Sequence, residues 1–142
     1  MIIKSYEINK INFDLNNLLL FYGKNEGLKN EVTKNIIKNK NNVLNYEEKE
    51  VLDNEDNFIQ NIFTKSLFDD EKIIIIKRST DKILRIIENL NSKKLEDTTV
   101  IINAENLEKK SKLRSFFEKE KKIVCVPFYP DNDQTLSKLT YN

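Results

Sequence analysis

Two apolar runs decide the fold: LLLFYG at residues 18–23 and IIII at residues 73–76. A strand with one buried face alternates apolar and polar residues, whereas both of these runs are apolar at every strand position. Continuous apolarity predicts parallel strands that helices cover on both faces. The β-branched isoleucine run is therefore predicted to be a central strand.

Weaker signals on either side complete an alternating pattern of strands and helices. Further short apolar runs at residues 43–46, 98–102 and 123–126 predict three more strands, and the polar residues within 43–46 favour a place near the sheet edge. Apolar residues at helical spacing predict four helices. The first begins at about residue 25, the second begins near residues 54–56, the third carries Ile83, Ile87 and Leu90, and the fourth carries Leu113, Phe116 and Phe117. The pattern is typical of an α/β fold in which a mainly parallel five-stranded sheet lies between two helical layers.

The composition excludes several kinds of chemistry. The 142 residues include no histidine and one cysteine, which excludes catalytic relays through histidine, imidazole metal ligands, internal disulfides and multi-cysteine zinc sites. Cys125 lies in an apolar run and is predicted to be an unreactive core thiol in a reducing cytoplasm. The net charge of +1 gives no overall field for nucleic acid. No apolar run approaches the ~20 residues of a membrane-spanning helix, so we predict a cytoplasmic domain without membrane contact.

The pattern indicates one domain, followed by the start of another element. Residues 1–130 hold every predicted strand of the sheet. A further helix is predicted to begin at residues 131–133 and to carry Leu136 and Leu139. We therefore expect residues 131–142 to open a following helical domain of a longer protein.

The turn after the first strand occupies the place of a phosphate loop. A working loop reads G-x-x-x-x-G-K-[ST], and its backbone N–H groups surround the phosphates. Here Gly23 fits the first glycine, but Leu-Lys-Asn stands at residues 28–30 where Gly-Lys-Ser/Thr is needed. Gly27 is one position early, and Glu26 brings a negative charge to the anion site.

The cations around this loop leave two interpretations open. Lys24 or Lys29 could contact a phosphate, or both could belong to a solvated helix start. The isoleucine strand ends in Lys77-Arg78 instead of the acidic residue that would hold magnesium. We therefore predict a degenerate phosphate loop at Gly23, Lys24 and Gly27, with no bound cofactor or metal and no ATP hydrolysis.

Other polar clusters also have two interpretations each. The acidic clusters could act in acid–base chemistry or bind a cation, or could be solvated surface. The basic cluster could contact a nucleic-acid backbone or could be an exposed helix start. The clusters are Glu47, Glu48 and Glu50; Asp69, Asp70 and Glu71; and residues 109–112 with Arg114.

An apolar pair lies between the second predicted helix and the isoleucine strand. Leu67 continues the helical stripe of Ile59 and Phe63, whereas Phe68 points about 100° away from it. The pair either plugs the end of the core or projects as an anchor for a pocket on a partner.

The order of these segments resembles the delta subunit of the bacterial DNA polymerase III clamp loader. The similar segments are LLFYG (19–23) with GL (27–28) and Glu31, SLFDDEK (66–72) running into IIII (73–76), TVII (99–102) with LEKKSKL (107–113), and VPFY (126–129). They cover nearly the whole chain, and their order and spacing carry the resemblance.

The resemblance implies a RecA-like domain of the AAA+ class, a P-loop NTPase fold without a working nucleotide site. It implies a non-catalytic part of a DNA-directed DNA polymerase holoenzyme that binds and opens the beta sliding clamp during DNA replication. By motif, the clamp-binding residues of that family correspond to Leu67 and Phe68. The resemblance also implies that the family's lid domain and C-terminal oligomerisation domain are absent from this chain, so that other clamp-loader subunits bind through regions absent here, and that DNA is contacted indirectly.

Two alternatives remain at this point. A divergent P-loop nucleotide-binding enzyme, such as a kinase or an ATPase, would be stabilised by nucleotide with magnesium. A direct DNA-binding domain would show a salt-dependent affinity through the cluster at residues 109–114.

Overall fold

A five-stranded sheet forms the centre of the structure, a computed structural model that describes residues 1–64, 71–93 and 95–129. The strands are β1 (Leu18–Tyr22), β2 (Asn42–Glu47), β3 (Lys72–Ser79), β4 (Thr98–Ala104) and β5 (Val124–Pro127). They lie in the order β2-β3-β4-β1-β5, and all four pairings between them are parallel. The predicted parallel sheet is confirmed, with the isoleucine strand β3 inside it and β2 at an edge.

Within the described residues, five α-helices connect these strands. They are α1 (Glu26–Ile37), α2 (Glu48–Asp53), α3 (Glu55–Phe63), α4 (Leu84–Ser92) and α5 (Lys112–Lys119), and two short 3-10 helices cover Ser5–Lys10 and Asp81–Ile83. The four predicted helices correspond to α1, α3, α4 and α5. The sequence prediction missed α2, because its six residues make less than two helical turns and offer only Val51 and Leu52 as apolar residues.

Alternate residues of the strands face opposite helical layers. In β1, Leu18, Leu20 and Tyr22 join the core beneath α2 to α5, whereas Leu19 and Phe21 join a second core beneath α1. The connection from β1 to β2 runs across the sheet in one direction, and the connections from β2 to β3, from β3 to β4 and from β4 to β5 run in the opposite direction. Right-handed connections therefore place α1 alone on one face. The result is a three-layer α/β/α, RecA-like fold.

The first residues of the chain cover the outer edge of β5. Cys125 N donates to Met1 O (2.8 Å), and Ile3 N donates to Cys125 O (2.9 Å). The Met1 ammonium donates to Phe117 O and Glu120 O, both at 2.7 Å, where the end of α5 favours a positive charge. Burial lowers the pKa of this ammonium group. The edge of β5 is thus paired along part of its length.

The structure confirms the prediction that Cys125 is a core residue. Cys125 is fully buried, and burial raises the pKa of its thiol to about 12. Among the described helices, none is long and apolar enough to span a bilayer.

Candidate functional site

The carboxyl ends of the strands meet at one edge of the sheet, where α/β proteins of this kind bind their ligands. This carboxyl edge holds the turn between β1 and α1, which includes Gly23 and Lys24. It also holds the ends of β3 and β4 and the residues that follow β5. The predicted phosphate loop is therefore at the edge that a nucleotide would need.

The end of β5 packs directly against Gly23. The residue has a φ of +121°, and a Cβ atom there would lie 2.0 Å from Phe128 O. Phe128 N donates to Tyr22 O at 2.7 Å, and Asn25 N donates to Phe128 O at 3.2 Å. Glycine is required here because the protein's own backbone fills the space beside it.

Four backbone N–H groups of this turn donate hydrogen bonds to acceptors within the protein. The donors and acceptors are Gly23 N to Glu105 O (2.6 Å), Asn25 N to Phe128 O (3.2 Å), Glu26 N to Lys24 O (3.0 Å) and Leu28 N to Asn25 Oδ1 (3.1 Å). In a phosphate loop, N–H groups at this place point to the phosphate oxygens. Here these four groups already have protein acceptors.

Lys29 lies at the lysine position of the loop pattern, six residues after Gly23, and it is fully buried. Its Nζ donates to Glu26 Oε1 at 2.5 Å and to Ala104 O, at the end of β4, at 2.8 Å. The interpretation as a solvated helix start is therefore wrong for Lys29, whereas Lys24 is exposed. Lys24 and Lys29 differ in exposure because Lys29 is one helical turn into α1 and faces the sheet.

Gly27, the second glycine of the predicted loop, lies in the first turn of α1. The nearest atom to a Cβ at this position would be Asn25 Oδ1 at 3.8 Å, an ordinary contact distance. Gly27 therefore contributes no close approach of backbone, in contrast to Gly23.

Carboxylates of the acidic cluster at the end of β2 accept hydrogen bonds within the protein. The carboxylate of Glu48 is buried and accepts hydrogen bonds from Thr80 N (2.5 Å) and Thr80 Oγ1 (2.8 Å). Glu50 Oε1 accepts from Glu47 N at the start of α2 (3.1 Å). Asp69 and Asp70, from the second acidic cluster, lie outside the described residues. Among the residues that are described, no three acidic or cysteine side chains are grouped so that they could hold a metal ion.

A second connection joins the β3–α4 turn to α5. Asp81 accepts hydrogen bonds from Ser111 Oγ (2.6 Å), Leu113 N (3.2 Å) and Lys112 N (3.3 Å). The pKa of Asp81 is lowered, chiefly by the hydrogen bond from the Ser111 hydroxyl and also by the two backbone donors, although desolvation acts in the opposite direction. Asp81 thereby caps the N-terminus of α5 from a different element.

The predicted basic cluster is divided by the fold. Arg114 is largely buried, donates from its guanidinium to Leu107 O at 2.9 Å and lies 5.0 Å from the centre of the Tyr22 ring. The lysines at residues 109, 110 and 112 are exposed, and Lys110 pairs with Glu108 at 3.3 Å. Arg114 therefore packs inside the protein, and the cluster loses the residue best suited to bidentate phosphate contact.

The end of β3 carries the residues that replace a magnesium-binding acid. The pairing of β3 with β4 shifts register between Ile76 and Ser79, and Arg78 has a φ of +55°. Lys77 and Arg78 are both exposed, and Arg78 Nε lies 3.7 Å from Glu47 Oε2. The carboxyl end of β3 thus presents two cations to solvent.

Leu67 and Phe68, the predicted anchor pair, lie outside the described residues. Their described neighbours are at the amino edge of the sheet, opposite the phosphate-loop edge, because α3 ends there and β3 begins there. Lys72 Nζ donates to Asn61 O (2.8 Å) and Thr64 O (3.1 Å), which ties the start of β3 to the end of α3.

An exposed aromatic ring lies next to this connection. Phe63, the last residue of α3, is 38% exposed, and Lys93 Nζ lies 5.3 Å from the centre of its ring. Phe63 therefore adds exposed apolar surface a few residues before the predicted anchor pair in the sequence.

No protein-family model matches this chain, and no curated protein matches its sequence. Among solved structures, the fold is similar to that of the Bacillus subtilis DNA clamp loader delta protein (YqeN), with a TM-score of 0.71 and 17% sequence identity. This chain shares its fold with the matched part of that clamp loader delta protein. The similarity covers 95% of this chain and 44% of that one, so the chain spans less than half of the length of the protein it matches.

Sequence reasoning missed two features of the carboxyl edge. The ion pair of Glu26 and Lys29 has a local signal, since residues three apart on a helix are neighbours. The contact between Gly23 and Phe128 has none, because the two residues are far apart in the sequence and meet only when β5 pairs with β1.

Proposed function

We propose that this chain is the N-terminal domain of a clamp-loader subunit of the delta type, which binds and opens the beta sliding clamp during DNA replication. The observation that carries the proposal is the similarity to a clamp loader delta protein over 95% of the chain. The order of sequence segments, including SLFDDEK at residues 66–72, supports the same function independently of the fold comparison.

The proposed contact with the clamp is the pair Leu67 and Phe68. Burial of each side chain in a pocket would contribute about 1.5–3 kcal/mol. The hydrogen bonds of Lys72 to the end of α3 support this assignment, because they fix both described flanks of the segment at the same edge of the sheet. A fixed base reduces the entropy that the anchor would lose on binding.

Ring opening then follows from differential binding. A subunit can open a closed ring only if it binds the open geometry more tightly than the closed geometry. We propose that this domain supplies that difference without catalysis, that other clamp-loader subunits bind through regions outside this chain, and that DNA is contacted through the assembly. ATP would act on those other subunits in the cytoplasm.

The geometry of the carboxyl edge supports the absence of a nucleotide role. The four loop N–H groups already have acceptors within the protein, and the buried Lys29 is paired with Glu26. A divergent kinase or ATPase would need these groups for phosphate. Thermal unfolding with and without magnesium-ATP tests this alternative, and a nucleotide-dependent rise in the unfolding temperature would favour the enzyme.

The clamp contact is tested with the double variant Leu67→Ala/Phe68→Ala. We expect its affinity for the purified sliding clamp to fall at least about 100-fold, the factor that corresponds to the loss of two buried apolar side chains. Surface plasmon resonance with immobilised clamp measures the affinity, and circular dichroism checks that the variant is folded.

A matched control removes a leucine and an aromatic residue elsewhere. Tyr6 and Leu15 are 61% and 71% exposed, so Tyr6→Ala/Leu15→Ala should leave both folding and clamp affinity unchanged. Unchanged affinity in the folded Leu67→Ala/Phe68→Ala variant would exclude the anchor. If the wild-type chain does not bind the clamp at all, the proposed function itself is wrong.

A further inference from the structure

We propose that a cavity at the amino edge of the sheet binds a small organic cation, in which an apolar ring carries an ammonium group. The cavity has a volume of about 1010 Å³. It lies on the face of the sheet that α1 covers, between the first 3-10 helix, the end of α1 and the starts of β3 and β4. Concave sites of this order of size commonly bind small molecules and bury most of the ligand surface.

The walls of the cavity carry apolar side chains that still contact water. Ile73 and Leu95 line it and are buried, whereas Phe13, Val32 and Ile36 line it and are only half-buried. A ligand that covers this apolar area removes it from water, which favours binding. The half-buried ring of Phe13 favours an aromatic ligand, because two rings attract each other edge to face or when offset.

The charge around the cavity favours a cation, although the chain as a whole has a net charge of +1. The described lining residues supply four carboxylates and two ammonium groups, on Asp14, Glu71, Glu96, Asp97, Lys40 and Lys72. Both ammonium groups have partners within the protein. Lys40 Nζ donates to Glu71 Oε2 at 2.8 Å, and Lys72 Nζ donates to the two carbonyl oxygens at the end of α3 described above. An excess of negative charge therefore remains for a ligand.

Asp14 and Asp97 bind the ammonium group of this ligand. Both are exposed, and within the described part of the chain neither carboxylate takes part in a hydrogen bond or an ion pair. Their backbones are held in place, because Asp14 N donates to Asn12 Oδ1 (3.0 Å) and Lys72 N donates to Asp97 O (2.8 Å). A held backbone reduces the conformational freedom that is lost on binding.

The test compares three indole compounds that differ in charge. Near neutral pH, tryptamine carries an ammonium group, indole is neutral and indoleacetate carries a carboxylate. Titration of the complete ¹⁵N-labelled chain, followed through its amide NMR signals, gives the Kd and the location of each compound. Tryptamine should bind about 10-fold more tightly than indole, the factor that corresponds to one charge-assisted hydrogen bond, and indoleacetate should bind most weakly. The amide signals of Ile36 and Asp97 should shift, and that of Lys24 should not.

A pair of variants tests the role of the carboxylates. Asp14→Asn/Asp97→Asn should bind tryptamine and indole with equal affinity, because the ring contacts remain and the charge is gone. Asparagine tolerates the left-handed backbone of Asp97, whose φ is +52°, so this variant should fold. The matched control, Asp53→Asn/Asp56→Asn, removes two exposed carboxylates from α2 and α3 on the other face of the sheet, and it should keep the wild-type preference for tryptamine.

Several results would overturn the proposal. The wild type would fail to bind tryptamine, or would bind indoleacetate as tightly, or would show shifts only at the carboxyl edge of the sheet. An unchanged preference in Asp14→Asn/Asp97→Asn would exclude these two carboxylates, and an equal loss in the control variant would reduce the effect to net charge. None of these measurements involves the sliding clamp, so the result does not depend on the proposed function.

Discussion

The two glycines of the chain are expected to respond in opposite directions to the same substitution. Gly23 and Gly27 are the only glycines in the sequence, and both belong to the predicted phosphate loop. The geometry predicts that Gly23→Ala is strongly destabilising and that Gly27→Ala is neutral or stabilising. A ligand-binding role for both glycines would instead leave the unliganded protein little affected by either change.

The magnitude follows from the contacts at each position. At Gly23, an L-residue with a φ of +121° costs about 1–3 kcal/mol. The new Cβ would also force Phe128 away, which weakens its hydrogen bonds with Tyr22 O and Asn25 N at about 0.5–1.5 kcal/mol each. We expect the free energy of unfolding to fall by about 3–5 kcal/mol, a large part of the stability of an ordinary domain.

At Gly27, alanine meets no close atom and replaces a residue that is unfavourable within a helix. The nearest contact, Asn25 Oδ1 at 3.8 Å, requires no movement. The free energy of unfolding should rise by about 0.5–1 kcal/mol. Urea unfolding followed by circular dichroism measures both variants. Equal stability of the Gly23→Ala variant and the wild type would refute the packing of Phe128 against Gly23.

Two predictions concern pH. Burial raises the pKa of Cys125 from 9.0 to about 12, so between these pH values the folded chain retains a proton that the unfolded chain loses, and the free energy of unfolding should fall as pH rises. In urea unfolding, Cys125→Ala should make this fall from pH 9 to 11 shallower by up to about 1.4 kcal/mol per pH unit. An unchanged slope would contradict the burial of the thiol. The pKa of Asp81 is lowered from 3.8, chiefly by Ser111 Oγ, so its contribution is present at neutral pH and is lost as pH falls below that value. Asp81→Ala should therefore lower the free energy of unfolding by about 1 kcal/mol at pH 7 and less at pH 3, and a deficit that is the same at both values would exclude the cap.

The two edges of the sheet differ in what they offer to a partner. At the carboxyl edge, the turn from Gly23 to Leu28 is closed by contacts with Glu105 and Phe128 and by the pairing of Glu26 with Lys29. At the amino edge, α3 ends, β3 begins and the ring of Phe63 is exposed. The described residues on either side of the proposed clamp contact therefore lie at the edge opposite to the one at which this fold would bind nucleotide.

Most of the fold could be predicted from the sequence because its signals are local. The continuous apolar runs of β1 and β3 require cover on both faces, and the spacing of apolar residues marked α1, α3, α4 and α5. The short α2 could not be found in this way, since its place depends on Val51 in the core and on Glu48 holding Thr80. The predicted anchor of Leu67 and Phe68 stays a prediction.

For the candidate site, the sequence and the tertiary structure each determined different features. The sequence alone determined that the loop has Glu26 and Leu28 where a working phosphate loop has other residues, because a motif is defined by residue type and spacing. Only the tertiary structure decided that Gly23 packs against Phe128 and that Lys29 is buried beneath Glu26. Those contacts depend on β5 pairing beside β1 and on the end of β4 accepting a hydrogen bond from Lys29, and such distances between remote parts of a chain exist only after the sheet has formed.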